Sequence, residues 1–323
     1  MDSNVKELAT EVLPYIRVYK DGSVDRLVDS PIVPPCNEDP ETGVSSKDIV
    51  VSKSPPISAR IYLPKHVEQS PKVPLLVYFH GGGYCFESAF SFVETKYMNR
   101  LAKQANVVVI SIEYRLAPEH PLPIGYEDCW SGLQWVASHS IDGGLKDEPW
   151  LSTYVDFDRL YVGGDSAGAN LAHVILLRAG SEGLNGVKIK GAFLTHPYFW
   201  GSKPIGSEIK NNEEREKLAV CMIWHLVYPE APGGIDNPML NPVVEGGPSL
   251  AGLGCSRLLI SVAKEDLLRD RGVSYYHAVK KSGWKGELME LVDVEGADHA
   301  FHILAHESET AMKLIQKLAS FIV

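Results

Sequence analysis

The sequence has few cysteines, and the five that it has (residues 36, 85, 129, 221 and 255) form no C-x-x-C pair. Their number and spacing argue against a disulfide framework or a cysteine-based zinc site, and favour free, mostly buried thiols in a reducing compartment. The chain also has no N-x-[ST] sequon, no basic start followed by an apolar run, and no stretch near the ~18 apolar residues of a membrane span. We therefore expect a cytoplasmic protein without a membrane partner.

Positive charge is also in short supply. The formal net charge is −10, from 31 basic and 41 acidic residues, and the basic residues form no stripe. Such a chain is poorly suited to binding nucleic acid or an anionic bilayer, and we expect neither partner. Its 323 residues contain no low-complexity tract, and they are enough to bury one large core.

Apolar, β-branched runs alternate with helical patterns along the chain, which indicates a mostly parallel central sheet flanked by helices. Strands are predicted at 58–63, 74–80, 106–114, 159–164, 189–196, 257–263 and 287–294, and helices at 94–104, 126–139, 167–179, 271–282 and 308–321. The fold class is therefore α/β, and we expect a single domain over residues 1–323.

Two segments do not follow this alternation. Residues 1–45 begin with a helical stretch and continue into proline-rich 29–40, and residues 199–242 contain a charged helix at 211–228. Both segments would lie over the carboxyl edge of the sheet, where α/β sheets bind ligands. We predict that they form a cap over this edge, and surface decoration is the alternative.

Two glycine-rich motifs point to chemistry. The second, GDSAG at 164–168, fits the G-x-S-x-G turn that raises a serine hydroxyl above a sheet, which makes Ser166 a candidate nucleophile. The first, HGGG at 80–83, supplies backbone N–H groups for an oxyanion. The N–H groups of Gly82, Gly83 and Ala167 are the predicted donors. Together the motifs predict acyl transfer, most simply ester hydrolysis.

A serine nucleophile needs a base, and the base needs an acid to hold its tautomer. In a sheet of this kind the expected chain order is serine, acid, histidine. Asp266 follows the strand at 257–263, and His299 follows the strand at 287–294. Asp270 is the rival acid, with helix N-capping as its structural role, and His302 is the rival base.

The histidines at 299, 302 and 306 have helical spacing, but no acidic or thiol residue with matching spacing completes a metal site. We predict neither a metal nor a cofactor. His173 and His196 are predicted to be packing or surface residues, and His80 to order the glycine loop through hydrogen bonds.

The substrate pocket is predicted to draw on residues that follow the glycine loop and the strand at 189–196. Aromatic side chains in these places favour a flat or aromatic ester over a long fatty chain, with core packing as the alternative role. The carboxylate of Glu87 suits a polar or cationic group, with a solvated loop charge as the alternative. The predicted pocket residues are Tyr84, Phe86, Glu87, Tyr198 and Trp200.

At these residues the chain resembles the plant carboxylesterases of the hormone-sensitive-lipase-like branch of the α/β hydrolases. The likeness runs over essentially the whole chain, and it is carried by the motifs at 80–83, 114–119, 164–168, 266–270 and 299–301. It implies an α/β-hydrolase fold with Ser166, Asp266 and His299 as the triad. The implied partner is a small-molecule ester or a specialised metabolite, and a homodimer is possible.

Finer likeness extends to two groups that reuse this site for other reactions. Segments 39–45, 200–208 and 231–238 resemble 2-hydroxyisoflavanone dehydratases, and segments 126–130 and 281–288 resemble iboga and aspidosperma alkaloid cyclases. A serine carboxylesterase is the first expectation, because serine, aspartate and histidine are all in place. A hydro-lyase or cyclase is the alternative. The gibberellin receptor shares the fold but lacks the catalytic histidine that is present here, so a receptor role is less expected.

Overall fold

The computed structural model describes residues 6–28, 30–65, 67, 72–140 and 144–323. Its strands are β1 (Leu8–Val12), β2 (Ile16–Tyr19), β3 (Val24–Arg26), β4 (Ser45–Lys53), β5 (Pro56–Leu63), β6 (Val73–Phe79), β7 (Val108–Glu113), β8 (Val155–Asp165), β9 (Ile189–Thr195), β10 (Cys255–Ala263) and β11 (Leu288–Val294). Its helices are α1 (Phe92–Ala105), α2 (Ile124–Ser138), α3 (Pro149–Tyr154), α4 (Ala167–Glu182), α5 (Asn212–Glu216), α6 (Ala219–Val227), α7 (Arg269–Ser282), α8 (Phe301–Leu304) and α9 (Glu309–Ile322).

The central sheet has eight strands in the order β11-β10-β9-β8-β6-β7-β5-β4. The six strands β11, β10, β9, β8, β6 and β7 pair with one another in parallel, whereas β5 runs antiparallel to both β4 and β7. Every residue of β6 is buried, since helices cover both faces of the sheet, and this explains its unbroken apolar sequence. The predicted α/β class, a mostly parallel sheet flanked by helices, is confirmed.

The seven predicted strands and five predicted helices of the alternating region are all present, with ends that differ by a few residues. The strand β4, which pairs with β5 at the edge of the sheet, was not predicted from the sequence. Only one of the nine residues in this strand is buried. An edge strand with so little burial carries a weak hydrophobic pattern, which is why the sequence did not reveal it.

The N-terminal segment differs from its prediction. The helical stretch expected at its start is wrong for the described residues, because β1, β2 and β3 form an antiparallel sheet there. Pro14 lies in the turn between β1 and β2, and a proline at this place would interrupt a helix. Residues 1–5 and 29, which also belong to the predicted cap, lie outside the described residues.

The single helix predicted at 211–228 is also wrong, because the chain forms α5 and α6 with a break between them. Leu218 is extended at this break, with φ −68° and ψ 142°. The helix α5 is mostly exposed and charged, whereas α6 is apolar and packs on the core. The one-domain organisation with a cap stays a prediction.

Across the described residues, no helix combines the length and apolar character that crossing a bilayer requires.

Candidate active site

The G-x-S-x-G motif forms the sharp turn between β8 and α4. Ser166 has φ 51° and ψ −116°, a backbone conformation that L-residues rarely adopt. Small neighbours permit it: a Cβ atom on Gly168 would lie 1.9 Å from the carbonyl oxygen of Phe79, and one on Gly164 would lie 2.3 Å from the Gly168 backbone. The turn therefore needs glycine at both places, and it raises Ser166 at the carboxyl end of β8.

The three predicted triad residues form a hydrogen-bonded chain with His299 in the middle. The hydroxyl of Ser166 lies 2.9 Å from His299 Nε2, and His299 Nδ1 lies 2.7 Å from Asp266 Oδ2. The other oxygen of Asp266 accepts the N–H of Leu268 at 2.8 Å, which holds the carboxylate in place. This arrangement supplies a nucleophile, a base and a group that fixes the tautomer of the base.

The rival residues occupy other places. The N-capping role predicted for Asp270 is wrong, because Leu268 is the N-cap residue of α7. Asp270 instead accepts hydrogen bonds from the N–H and hydroxyl of Ser207, at 2.6 and 2.8 Å, and so connects α7 to the 199–242 segment. His302 is fully buried in α8, and neither of its ring nitrogens has a hydrogen-bond partner among the described residues, the Ser166 hydroxyl included.

The environment of the triad favours a charged pair between Asp266 and His299. Burial alone would raise the pKa of Asp266, but the charge of His299 and its hydrogen bond lower it below the usual range. Desolvation likewise opposes protonation of His299, and the Asp266 carboxylate overcomes it and raises the histidine pKa above its ordinary value of 6.5. His299 is thus a stronger base than a free imidazole.

The HGGG motif forms a loop beside Ser166. Gly82 and Gly83 line the same cavity as Ser166, with φ angles of 89° and 56°. Ala167 is the first residue of α4, so its N–H has no acceptor within the helix. The Nδ1 atom of His80 lies 3.0 Å from the carbonyl oxygen of Gly81, a hydrogen bond that orders the loop. Burial lowers the pKa of His80 to about 4.

A cavity of about 510 Å³ opens onto Ser166 and His299. Three of the five predicted pocket residues line it, namely Phe86, Glu87 and Tyr198. The Tyr198 hydroxyl donates a 2.7 Å hydrogen bond to the carbonyl oxygen of Val220, so this ring joins β9 to α6.

Tyr84 and Trp200 do not belong to the cavity wall. Tyr84 is buried, and its ring packs edge-on against Tyr198 with centroids 5.6 Å apart. Trp200 is fully buried, and its ring centroid lies 4.5 Å from the guanidinium carbon of Arg215 and 5.3 Å from that of Arg271. Both aromatics serve packing, the alternative role for aromatic residues at these places.

The sequence did not reveal which other residues complete the cavity. Tyr15 contributes a ring that stacks on Phe86, with centroids 5.0 Å apart and planes within 12°. Ala219, Val220 and Ile223 of α6 form an apolar wall. The N-terminal segment and the 199–242 segment therefore both contribute to the cavity.

Two buried carboxyl groups, which the sequence analysis also missed, lie against the cavity. Asp165 accepts a 2.5 Å hydrogen bond from the Tyr78 hydroxyl, and Glu94 of α1 has one carboxyl oxygen without a partner among the described residues. Burial, together with their mutual repulsion, raises the pKa of Glu94 well above its usual range, and burial raises that of Asp165. A Cβ atom on Gly81 would lie 2.4 Å from Asp165 Oδ2, so this pair lies directly beneath the glycine loop.

His196, predicted to be a packing or surface residue, is buried beside the triad. Within the described residues, one group brings three potential metal ligands within 4.8 Å of one another, and it consists of His196, Asp266 and His299. Both ring nitrogens of His299 already take part in hydrogen bonds. A metal ion would have to displace Ser166 or Asp266 from that ring, so the arrangement suits proton transfer better than metal binding.

Comparisons with known proteins agree with this geometry. A family defined by the α/β-hydrolase fold matches residues 76–303. A 2-hydroxyisoflavanone dehydratase from Glycyrrhiza echinata is 54% identical over 321 residues, covering 98% of this chain and 97% of that protein. Tabersonine synthase from Catharanthus roseus is 49% identical over 329 residues, covering 98% of each chain.

Among solved structures, an esterase from Pyrobaculum calidifontis superposes with a TM-score of 0.66 at 27% identity, covering 91% of this chain and 86% of that one. These findings confirm the resemblance drawn from the sequence motifs. The chain belongs to the α/β-hydrolase fold family.

Proposed function

We propose that this protein is a serine carboxylesterase that hydrolyses small or aromatic carboxylic esters through an acyl-enzyme, in plant specialised metabolism. The observation that carries the proposal is the continuous hydrogen-bond chain from Ser166 through His299 to Asp266, which opens onto the cavity. A hydrolase needs this chain in full, because the serine hydroxyl is a weak nucleophile until a base removes its proton.

In the first half-reaction His299 Nε2 takes the proton of Ser166 as its oxygen attacks the ester carbonyl. Asp266 stabilises the imidazolium that forms. The oxyanion is placed to accept hydrogen bonds from Gly82, Gly83 and Ala167, and each such donor typically lowers the barrier by about 2.7–4 kcal/mol. The carbon–oxygen bond to the alcohol then breaks, and His299 returns its proton to the departing alcohol.

The second half-reaction hydrolyses the acyl-enzyme. A water molecule takes the place of the alcohol, gives its proton to His299 and attacks the acyl carbonyl. The bond to Ser166 breaks, the carboxylic acid leaves, and the serine recovers its proton from the histidine. Aromatic walls supplied by Tyr15 and Phe86 support flat acyl or alcohol groups as substrates.

The test is hydrolysis of p-nitrophenyl acetate and butyrate by the wild type and by Ser166→Ala. We expect a burst of nitrophenol from the wild type, and a kcat about 10⁶-fold lower in the variant. Ser181→Ala, a change on the exposed end of α4, is the matched control and should keep wild-type turnover. Turnover that is absent, or that does not depend on Ser166, would exclude the esterase.

A lyase or cyclase is the second candidate, because the two plant relatives above are named a dehydratase and a synthase. In that reaction His299 would remove a carbon-bound proton and the glycine loop would polarise a carbonyl group. Ser166 would only donate a hydrogen bond. Incubation with a hydroxyisoflavanone separates the two proposals, since a dehydratase that needs no acyl-enzyme keeps much of its activity in Ser166→Ala.

We also propose a cytoplasmic location. All five cysteines are free, and four of them are buried, which suits a reducing compartment. Imaging of the full chain fused to a fluorescent protein tests this location, and accumulation in an organelle or outside the cell would contradict it.

A further inference from the structure

His196 lies where two strands that carry the site come to their ends. It directly follows β9, and its backbone N–H donates a 2.7 Å hydrogen bond to Ser261 of β10. The residue before it, Thr195, accepts the N–H of Ser166 at 2.9 Å. His196 is therefore connected through the backbone to the turn that carries the nucleophile and to the strand that precedes Asp266.

The ring of His196 reaches the third element of the site. Its Nδ1 accepts the backbone N–H of Ala300 at 3.0 Å, and Ala300 is the residue after His299. Ala300 has φ 54° and His196 has φ 48°, so both ends of this hydrogen bond lie in the left-handed region. Non-glycine residues stay in that region only where the surrounding structure holds them there.

The same hydrogen bond defines the chemistry of the ring. Because an amide N–H donates to Nδ1, the neutral ring carries its proton on Nε2. Burial lowers the pKa of His196 well below its ordinary value, so the ring stays neutral. The Nε2 atom of His196 has no hydrogen-bond partner among the described residues. The centroids of the His196 and His299 rings lie 5.7 Å apart. The described residues therefore give the His196 ring no hydrogen bond to the Ser166 hydroxyl, which pairs with His299 instead.

We propose that His196 is a positioning residue, whose Nδ1 holds the Ala300 N–H and thereby keeps His299 aligned between Ser166 and Asp266. This inference rests on the proposed function, since the reaction that it serves is attack by Ser166. Among the described residues the pairing of β11 with β10 ends at Val294, and at Ala300 the backbone N–H is bound by the His196 ring. A small misplacement of a catalytic group is enough to slow a reaction by about 10²-fold.

The experiment compares His196→Leu with His196→Asn. The two side chains have nearly the same shape, but asparagine has an oxygen near the position of Nδ1, and it tolerates a positive φ. We expect His196→Leu to lower kcat for p-nitrophenyl butyrate about 10–100-fold with little change in KM. His196→Asn should recover most of this loss. Thermal unfolding of each variant separates a loss of folding from a loss of alignment.

His302→Leu is the matched control. This histidine is also fully buried, its ring lies 5.1 Å from that of His196, and neither of its nitrogens has a partner in the described part of the chain. It should keep wild-type kcat. Wild-type kcat in His196→Leu, or equal losses in the leucine and asparagine variants, would overturn the proposal.

A second readout does not depend on turnover. The proton between His299 Nδ1 and Asp266 gives a low-field ¹H NMR signal when the two groups are aligned. We expect this signal in the wild type and in His196→Asn, and we expect it to be lost or broadened in His196→Leu. If the wild type hydrolyses no ester, the proposed function fails, and this signal still decides whether His196 aligns His299. An unchanged signal in His196→Leu would overturn the inference.

Discussion

The carboxylate of Glu208 accepts two hydrogen bonds from the guanidinium group of Arg271, at 2.5 and 2.8 Å. Glu208 belongs to the 199–242 segment, and Arg271 lies in the first turn of α7, which begins just after Asp266. Arg215 donates a third hydrogen bond to the same carboxylate at 2.7 Å, and all three side chains are almost fully buried. Buried ion pairs thus connect the 199–242 segment, which contributes to the cavity wall, to the helix that follows Asp266.

We expect Glu208→Gln to destabilise the protein strongly. Removing one partner of a buried ion pair leaves the remaining charge uncompensated, at a typical cost of about 3–5 kcal/mol. Here two buried arginines would lose their counter-charge. Urea unfolding followed by circular dichroism measures the change in free energy. Glu309→Gln, which breaks an exposed pair with Lys313, is the control and should leave the unfolding midpoint unchanged.

The activity should rise with pH as His299 loses its proton and becomes neutral. The histidine must be neutral to take a proton, and Asp266 raises its pKa, so we expect the acid limb of kcat/KM to have its midpoint above 6.5. In Asp266→Asn the carboxylate that raises this pKa is gone. The limb should therefore move to lower pH, while kcat falls by about 10⁴-fold because the tautomer is no longer held. A pH–rate profile of both proteins tests this, and an unmoved limb would contradict it.

Glu94→Gln should stabilise the protein, and more so as the pH rises. A buried carboxyl group whose pKa is raised on folding binds its proton more tightly in the folded state, so the stability of the wild type falls as pH rises from about 4.5 towards the folded pKa. Glutamine has a similar shape and no proton to lose. Unfolding free energies measured between pH 4 and pH 9 test this. A difference between the two proteins that stays constant with pH would show that Glu94 is not protonated in the fold.

Ile223 should select substrates by size. One of its methyl carbons would lie 3.2 Å from a Cβ atom on Gly83, so the side chain stands directly against the glycine loop. Ile223→Ala should enlarge the cavity beside the glycine loop, lower kcat/KM for acetate esters and raise it for bulkier aromatic esters. A series of p-nitrophenyl esters of increasing acyl size tests this. His225→Ala, on the exposed face of α6, should leave the series unchanged.

Gly168→Ala should impair both folding and activity. The new methyl group would meet backbone oxygen atoms of β6 and His80, which cannot move without disturbing the sheet and the glycine loop. Gly252→Ala offers a matched control, because a Cβ atom there meets nothing within 4 Å. We expect a lower unfolding midpoint and a lower kcat only in the first variant. Normal values in both would show that the turn relaxes more easily than its geometry indicates.

The chain order of the site could be read from the sequence because each motif meets a local demand of the backbone. A strand, a small-residue turn and a helix identify Ser166, and the ends of later strands identify Asp266 and His299. Each of these three residues lies within a few positions of the turn or strand end that identifies it, so its pattern is visible without knowledge of the fold. The parallel sheet was readable for the same reason, since strands buried on both faces are continuously apolar.

Only the tertiary structure decided what surrounds those residues. Tyr15 and Ile223 are far apart in the chain, and nothing local indicates that both would face one cavity. The same applies to Trp200, which is buried against Arg215 and Arg271 and does not line the cavity. It also applies to His196, whose proposed role depends on the N–H of a loop about a hundred residues away. The sequence by itself determined which serine, aspartate and histidine form the hydrogen-bonded group, because their positions follow from local backbone geometry. The walls of the cavity and the supports of the triad depended on long-range packing, which no local pattern encodes.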